Sequence, residues 1–279
     1  MNSYPIVISE VSLLVEDLSR SIHFYREYLG MSLLNSSERK AVFTADGKTP
    51  LITIEQPIGV RPKEKGRTGL YHLALLYKNR QELANAVYSL IQRGYPLQGA
   101  SDHLVSEAVY LEDPDGNGIE LYADRPRENW RWQNNEIQMS TLPLDVHDLL
   151  KQRTDGYNQM NPDTIIGHIH LHVGNLEKAF TYYSKGLGLD AVLRYGNQAL
   201  FMSTGGYHHH IGLNIWNGVG ALPWSENSVG LKWVSLKIED SYLDHVISSL
   251  KIIEAELLYE EDSIYSIDPS GNRIVLAGR

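Results

Sequence analysis

The chain has 279 residues, a formal net charge of −9 at neutral pH and no cysteine. An acidic balance without clustered Lys and Arg excludes a nucleic-acid partner. Missing thiols exclude disulfides and Cys-held zinc or iron–sulfur centres, so any metal falls to His, Asp or Glu.

Met1 to Glu10 lacks a basic stretch followed by an apolar core, and no apolar run approaches the ~20 residues of a membrane span, so no membrane partner and a cytoplasmic location are expected. Glu10 to Val15 reads as a short strand. Leu18, Ile22, Tyr25 and Leu29 then recur at helical spacing up to Gly30, and strands follow at Ala41–Thr44 and Leu51–Glu55. The pattern starts again with a strand at Tyr71–Leu76, a helix from Gln81 to Arg93 stopped by Gly94, and strands around Ala108–Leu111 and Gly118–Tyr122. Between Asp124 and Pro162 lies a polar segment with a short helix at Val146–Lys151; it reads as an ordered linker, with Trp130 and Trp132 packing on a sheet surface. Beyond it the same order of elements appears twice more. The chain therefore divides into 1–123 (modules at about 6–56 and 68–123), a linker at 124–163, and 164–279 (modules at about 165–217 and 230–278), giving four βαβββ units.

A fixed offset supports duplication. Val173, Leu176, Tyr183 and Gly188 each lie 158 positions after Val15, Leu18, Tyr25 and Gly30. At that offset His168 stands where the first copy has Glu10. The turn Asp113-Pro-Asp-Gly-Asn returns as Asp268-Pro-Ser-Gly-Asn and reads as a structural hairpin signal. Structural roles survive duplication in both copies, whereas chemical ones need survive in only one. The second module carries His72 and Glu120 where the fourth carries Trp233 and Val275. Polar groups on a concave sheet face are costly unless paired or bound to metal, so His72, Glu120 and His168 call for a common partner. Two imidazoles and one carboxylate suit Fe(II), with Mn(II) as the second choice, and leave coordination positions free. Gly212, at the position equivalent to Glu120, is read as leaving one face of the metal open.

With these residues in place, the chain resembles the vicinal oxygen chelate superfamily, and within it the type I extradiol ring-cleaving dioxygenases related to catechol 2,3-dioxygenase. The resemblance rests on the module pattern, Asp102-His-Leu-Val-Ser-Glu-Ala-Val-Tyr110, Tyr207-His-His-His-Ile-Gly-Leu-Asn214 and the three ligand candidates. It implies an α+β fold in which four βαβββ modules form two open mixed-sheet barrels. Tyr110 stands ten residues before Glu120, as the family's active-site tyrosine does. The resemblance further implies an acid–base histidine at His209, with His210 as the neighbouring alternative, and a pocket role for His103 if a loop shift is allowed. His210 and Asn214 are carried as substrate contacts. Family members draw their ligands from their last two modules; here the ligands lie in the second and third, which implies that those two close the metal barrel.

The expected reaction is cleavage of a catechol-like or hydroquinone-like aromatic by O2 at the metal, in a chain that is compatible with a homo-oligomer. Two rivals remain. One is a glyoxalase-type isomerase or lyase using Zn(II) or Ni(II) with Glu10, Glu55, His72 and Glu120. The other is a resistance protein that binds an aromatic compound without catalysis.

Overall fold

The computed structural model describes residues 4–154, 158–260 and 263–279; residues 1–3 of the N-terminal stretch and 155–157 of the linker lie outside them. The first module consists of β1 (Ile6–Leu14), α1 (Leu18–His23) running into a π-helical turn at Phe24–Tyr28, β2 (Ser32–Ser36), β3 (Lys40–Thr44) and β4 (Ile52–Glu55). The second has β5 (Gly69–Leu76), α2 (Arg80–Gln92), β6 (Gly99–Asp102), β7 (Ser106–Glu112) and β8 (Gly118–Asp124). The segment that follows holds β9 (Trp132–Gln133), β10 (Glu136–Ile137), β11 (Leu142–Pro143) and α3 (Val146–Leu150). The third module has β12 (Ile165–His172), α4 (Leu176–Phe180) with a π-helical turn at Thr181–Gly186, β13 (Asp190–Tyr195), β14 (Ala199–Ser203) and β15 (Ile211–Asn214). Last come β16 (Gly230–Ile238), α5 (Asp240–Ile252), β17 (Glu256–Glu260), β18 (Ser263–Ile267) and β19 (Arg273–Gly278).

Local chemistry explains the repeated starts and stops. Asp17, Asn79 and Asn175 each accept a hydrogen bond from a backbone N–H three residues on, at 2.9, 3.0 and 2.9 Å, which satisfies one orphan donor at the head of α1, α2 and α4. Both π-helical turns are followed by a glycine in the left-handed region, Gly30 at φ +73° and Gly188 at φ +78°. A Cβ there would also collide, lying 2.9 Å from Met160 N in one case and 2.2 Å from Tyr242 Oη in the other.

In each module the first and last strands are parallel neighbours, because the helix crosses over between them. The modules then pair through their first strands. β5 runs antiparallel to β12, so the second and third modules share a nine-stranded sheet, β11-β6-β7-β8-β5-β12-β15-β14-β13. β1 runs antiparallel to β16, and the first and fourth modules share an eight-stranded sheet. The fold is the α+β vicinal oxygen chelate fold, with curled mixed sheets and helices outside. Period-two alternation decides which residues reach the concave side: Leu73, Leu75, Ile119, Leu121, Ile169 and Leu171 join the main core, while His72, Ala74, Glu120, His168 and His170 occupy the opposite face.

The Asp-Pro-x-Gly-Asn turns do more than reverse the chain. Tyr25 Oη donates to Asp113 Oδ2 at 3.0 Å, and Tyr183 Oη donates to Asp268 Oδ2 at 3.0 Å, so each buried tyrosine of an odd-numbered module pins the turn of the next module across the boundary between sheets. Tyr25→Phe and Tyr183→Phe are each expected to destabilise the protein by about 1–2 kcal/mol, the cost of leaving a buried carboxyl one donor short. Urea unfolding should give matching losses for the two, since the geometry repeats.

Candidate metal centre and its pocket

Sheet register brings the ligand candidates together. His168 lies opposite Ala74, Ala74 lies beside Glu120, and Glu120 lies opposite Tyr110, so one row crosses four strands. The methyl group of Ala74 leaves room for the longer side chains on either side to converge over it. His72 stands in the next row, opposite His170 and beside Gly118. One ligand atom from each of His72, Glu120 and His168 lies within 4.8 Å of the others, and all three side chains are buried.

Glu120 Oε2 is the meeting point, 3.2 Å from His168 Nε2 and 3.0 Å from His72 Nε2. The contact to His72 lacks the alignment of a hydrogen bond, leaving His72 Nε2 without a bonded partner, and His168 Nδ1 likewise has none. Burial by itself would raise the Glu120 pKa, but the imidazoles of His168 and His72 outweigh it and hold the carboxyl well below its ordinary range. Burial in turn pushes His168 down to about 4, against the pull of Glu120. The two tendencies conflict at His168, since that ring helps to hold Glu120 ionised while burial drives the ring itself neutral. A divalent cation would resolve the conflict: an ionised carboxylate and neutral imidazoles are the protonation states that metal ligation requires. The donor set fits Fe(II) or Mn(II), being nitrogen and oxygen without thiolate.

The trio opens on a cavity of about 300 Å³ that also touches Tyr110, His103 and His209. This volume is at the lower end of the roughly 300–1,000 Å³ typical of small-molecule pockets. A larger cleft of about 640 Å³ reaches Tyr71, His72 and Tyr110 from another side but contains neither Glu120 nor His168. His103 Nδ1 lies 2.7 Å from the carbonyl of Ser140 and its Nε2 lies 2.6 Å from Tyr110 Oη. A carbonyl can only accept, so Nδ1 carries the proton, and Nε2 of the neutral ring accepts the Tyr110 hydroxyl proton. Tyr110 therefore turns oxygen lone pairs to the cavity. The turn that delivers His103 contains Leu104 at φ +69°, held by a 2.8 Å bond from its N–H to Asp102 Oδ1.

Of the three consecutive histidines, His209 faces the pocket, its ring centroid 4.1 Å from that of His168. Burial, reinforced by the neighbouring imidazoles, drives its pKa well below the ordinary value. His210 does not line the pocket: it turns to Ser203 Oγ at 3.1 Å and packs on Tyr4 and Tyr207. Asn214 is also displaced from the expected role, because its Oδ1 serves His172 Nδ1 at 2.7 Å and accepts the Trp216 N–H at 3.1 Å, closing the end of β15. The four-residue set of the glyoxalase-type alternative does not assemble. Glu10 and Glu55 lie on the other sheet, where they engage Thr53 Oγ1 at 2.6 Å and Lys232 Nζ at 2.7 Å.

Several pocket residues escaped the sequence reading. His170 is buried in the wall with Nε2 unpartnered, and its ring fills the room beside Gly212, where a Cβ would sit 2.8 Å from it. The space left by that glycine is thus taken by an imidazole. Alternation from His168 was the signal that could have found it. Met139, Ser140 and Thr141 of the segment read as a linker line the cavity too, as does Trp216, 5.4 Å from His170, an aromatic that the sequence suits to a pocket wall and to an ordinary strand alike and that reads there as structural. Trp130 is buried against Tyr207 and His208, whereas Trp132 is exposed. Among the described residues no helix is long and apolar enough to cross a membrane.

Comparison with known proteins agrees with this architecture. The family described as the glyoxalase/bleomycin resistance protein/dioxygenase superfamily matches residues 7–121. A catechol-2,3-dioxygenase of Bacillus subtilis (strain 168) is 44% identical over 267 residues, covering 94% of this chain and 93% of the relative. Among solved structures, a putative dioxygenase from Bacillus subtilis superposes with a TM-score of 0.66 at 14% identity, covering 100% of this chain and 86% of the other. Glyoxalase I from Zea mays superposes with a TM-score of 0.59 at 18% identity, covering 98% and 92%. The structural likenesses speak for the fold, and the sequence likeness along nearly the whole of both chains speaks for the family: the protein belongs to the glyoxalase/bleomycin resistance protein/dioxygenase superfamily.

Proposed function

We propose that the protein opens the ring of a catechol-like or hydroquinone-like aromatic with O2, beside the hydroxyl-bearing carbons, at a divalent metal held by His72, Glu120 and His168. The chain is an enzyme of the catechol 2,3-dioxygenase kind, by its 44% identity to such a protein over 94% of its length. The observation that carries the finer reading is the convergence of two imidazoles and one carboxylate within 4.8 Å on the floor of a cavity. Fe(II) is the metal proposed, with Mn(II) next. When bound, it would supply Lewis acidity that lowers the pKa of the diol and the redox activity that O2 chemistry needs.

The remaining work belongs to side chains. Tyr110, its proton committed to His103, offers its oxygen to a substrate hydroxyl. His209, kept neutral by burial, takes and returns a proton at its cavity-facing nitrogen. Phe201, Tyr71 and Trp216 give the ring an aromatic lining and exclude water.

The test begins with metal analysis. Wild-type protein purified without oxygen is expected to hold one equivalent of metal, and His168→Ala, still folded by circular dichroism, to lose it. Iron-loaded wild type should consume O2 with a simple catechol or hydroquinone; no uptake with any of them would overturn the reading, and a metal-free wild type would favour the non-catalytic rival. Tyr110→Phe is expected to lower kcat/KM by roughly tenfold, the scale of one hydrogen bond. His209→Phe should cost about 10²- to 10⁴-fold in kcat, as for loss of a general acid–base group.

A further inference from the structure

Behind His209 the structure holds a chain of contacts that the proposed reaction does not yet use. His209 Nδ1 lies 2.8 Å from His208 Nδ1, and His208 Nε2 lies 2.9 Å from Asp124 Oδ1. His208 is fully buried, with its ring 5.2 Å from that of Trp130 and 4.1 Å from that of Tyr207. The carboxylate end is anchored: Tyr207 Oη donates to the same Asp124 oxygen at 3.2 Å, and Tyr122 and Tyr207 share a hydroxyl contact of 2.8 Å. Gly167 protects this anchor, since a Cβ there would lie 1.8 Å from Tyr122 Oη.

Hydrogen-bond bookkeeping along the chain has one solution for neutral rings. An ionised carboxylate only accepts, so His208 carries its proton on Nε2 and its Nδ1 is a bare acceptor. A short contact between two ring nitrogens needs one proton, so His209 must donate from Nδ1. Its Nε2 is then the unprotonated nitrogen, on a ring that lines the cavity and makes its hydrogen bond through Nδ1. We propose that Asp124 and His208 are positioning residues that lock the neutral His209 ring in the Nδ1–H tautomer, so that a lone pair on Nε2 faces the pocket ready to accept a substrate proton. Orienting partners of this kind fix the tautomer and direction of a working imidazole. The inference rests on the reading of His209 as the acid–base group, but the tautomer itself can be tested without turnover.

The test is nitrogen NMR on the whole protein, ¹⁵N-labelled at histidine and freed of metal by chelation, with the His209 signals assigned by their loss in His209→Phe. In wild type the proton is expected on Nδ1 of His209, with Nε2 in the unprotonated range. In His208→Leu the preference should be lost, and in the iron-loaded enzyme kcat for catechol should fall by about 10- to 100-fold, the scale for outer partners of a working imidazole, with KM nearly unchanged. His208→Asn, whose amide oxygen can accept from His209 Nδ1–H, should recover most of both. A wild-type His209 protonated on Nε2 overturns the proposal, and that measurement stands even if His208→Leu does not fold. An unchanged tautomer in a folded His208→Leu overturns it as well. Failure of the wild type to consume O2, with the tautomer as expected, would refute the proposed reaction while leaving the lock in place.

Discussion

A buried carboxylate between two buried imidazoles is the constraint around which the pocket is organised. Glu120 cannot stay ionised in an apolar wall without a positive partner, and burial drives His168, one of its two nearest candidates, towards neutrality. Either a proton is trapped at a cost or a cation takes the meeting point. The orphaned Nε2 of His72, which faces the same carboxylate oxygen, favours the cation, since nothing else among the described residues satisfies it. Strand register makes this arrangement repeatable, because Ala74 spaces His168 from Glu120 on a rigid sheet rather than on loops.

The other sheet shows what the same scaffold becomes when that constraint is absent. Glu10 occupies the position equivalent to His168 but accepts a hydrogen bond from Thr53, and Trp233 and Val275 replace His72 and Glu120. The ties that both halves need have survived in both. Tyr25 to Asp113 and Tyr183 to Asp268 repeat at the same 3.0 Å distance, and the glycines after the π-helical turns repeat their positive φ. Duplicated structure thus separates the residues that hold modules together from those that stand in one copy only.

Around the candidate metal centre, the polar side chains fall into two directed arms. Ser140, His103 and Tyr110 form one, ending in a tyrosine oxygen. Asp124, His208 and His209 form the other, ending in an imidazole nitrogen. In both, an obligate acceptor at the outer end sets the sense of every bond inward, so that acceptor decides what the arm presents to the pocket. The segment after β8 takes part in both arms, since it supplies Ser140 to one and packs Trp130 against the other.

Periodicity and repetition in the chain were enough to determine the four modules, their strand and helix order and the face on which His72, Glu120 and His168 lie, because alternation along a strand and spacing along a helix are local consequences of backbone geometry. Comparison of the copies likewise singled out these residues, since no contact information is needed to notice a histidine where its counterpart has tryptophan. Tertiary structure alone decided where His210 and Asn214 turn, that His170 fills the space beside Gly212, and that Met139 to Thr141 reach the cavity. Those outcomes depend on a bend before β15, on packing between strands distant in sequence and on a segment without periodic pattern, and none of these leaves a regular mark on neighbouring residues.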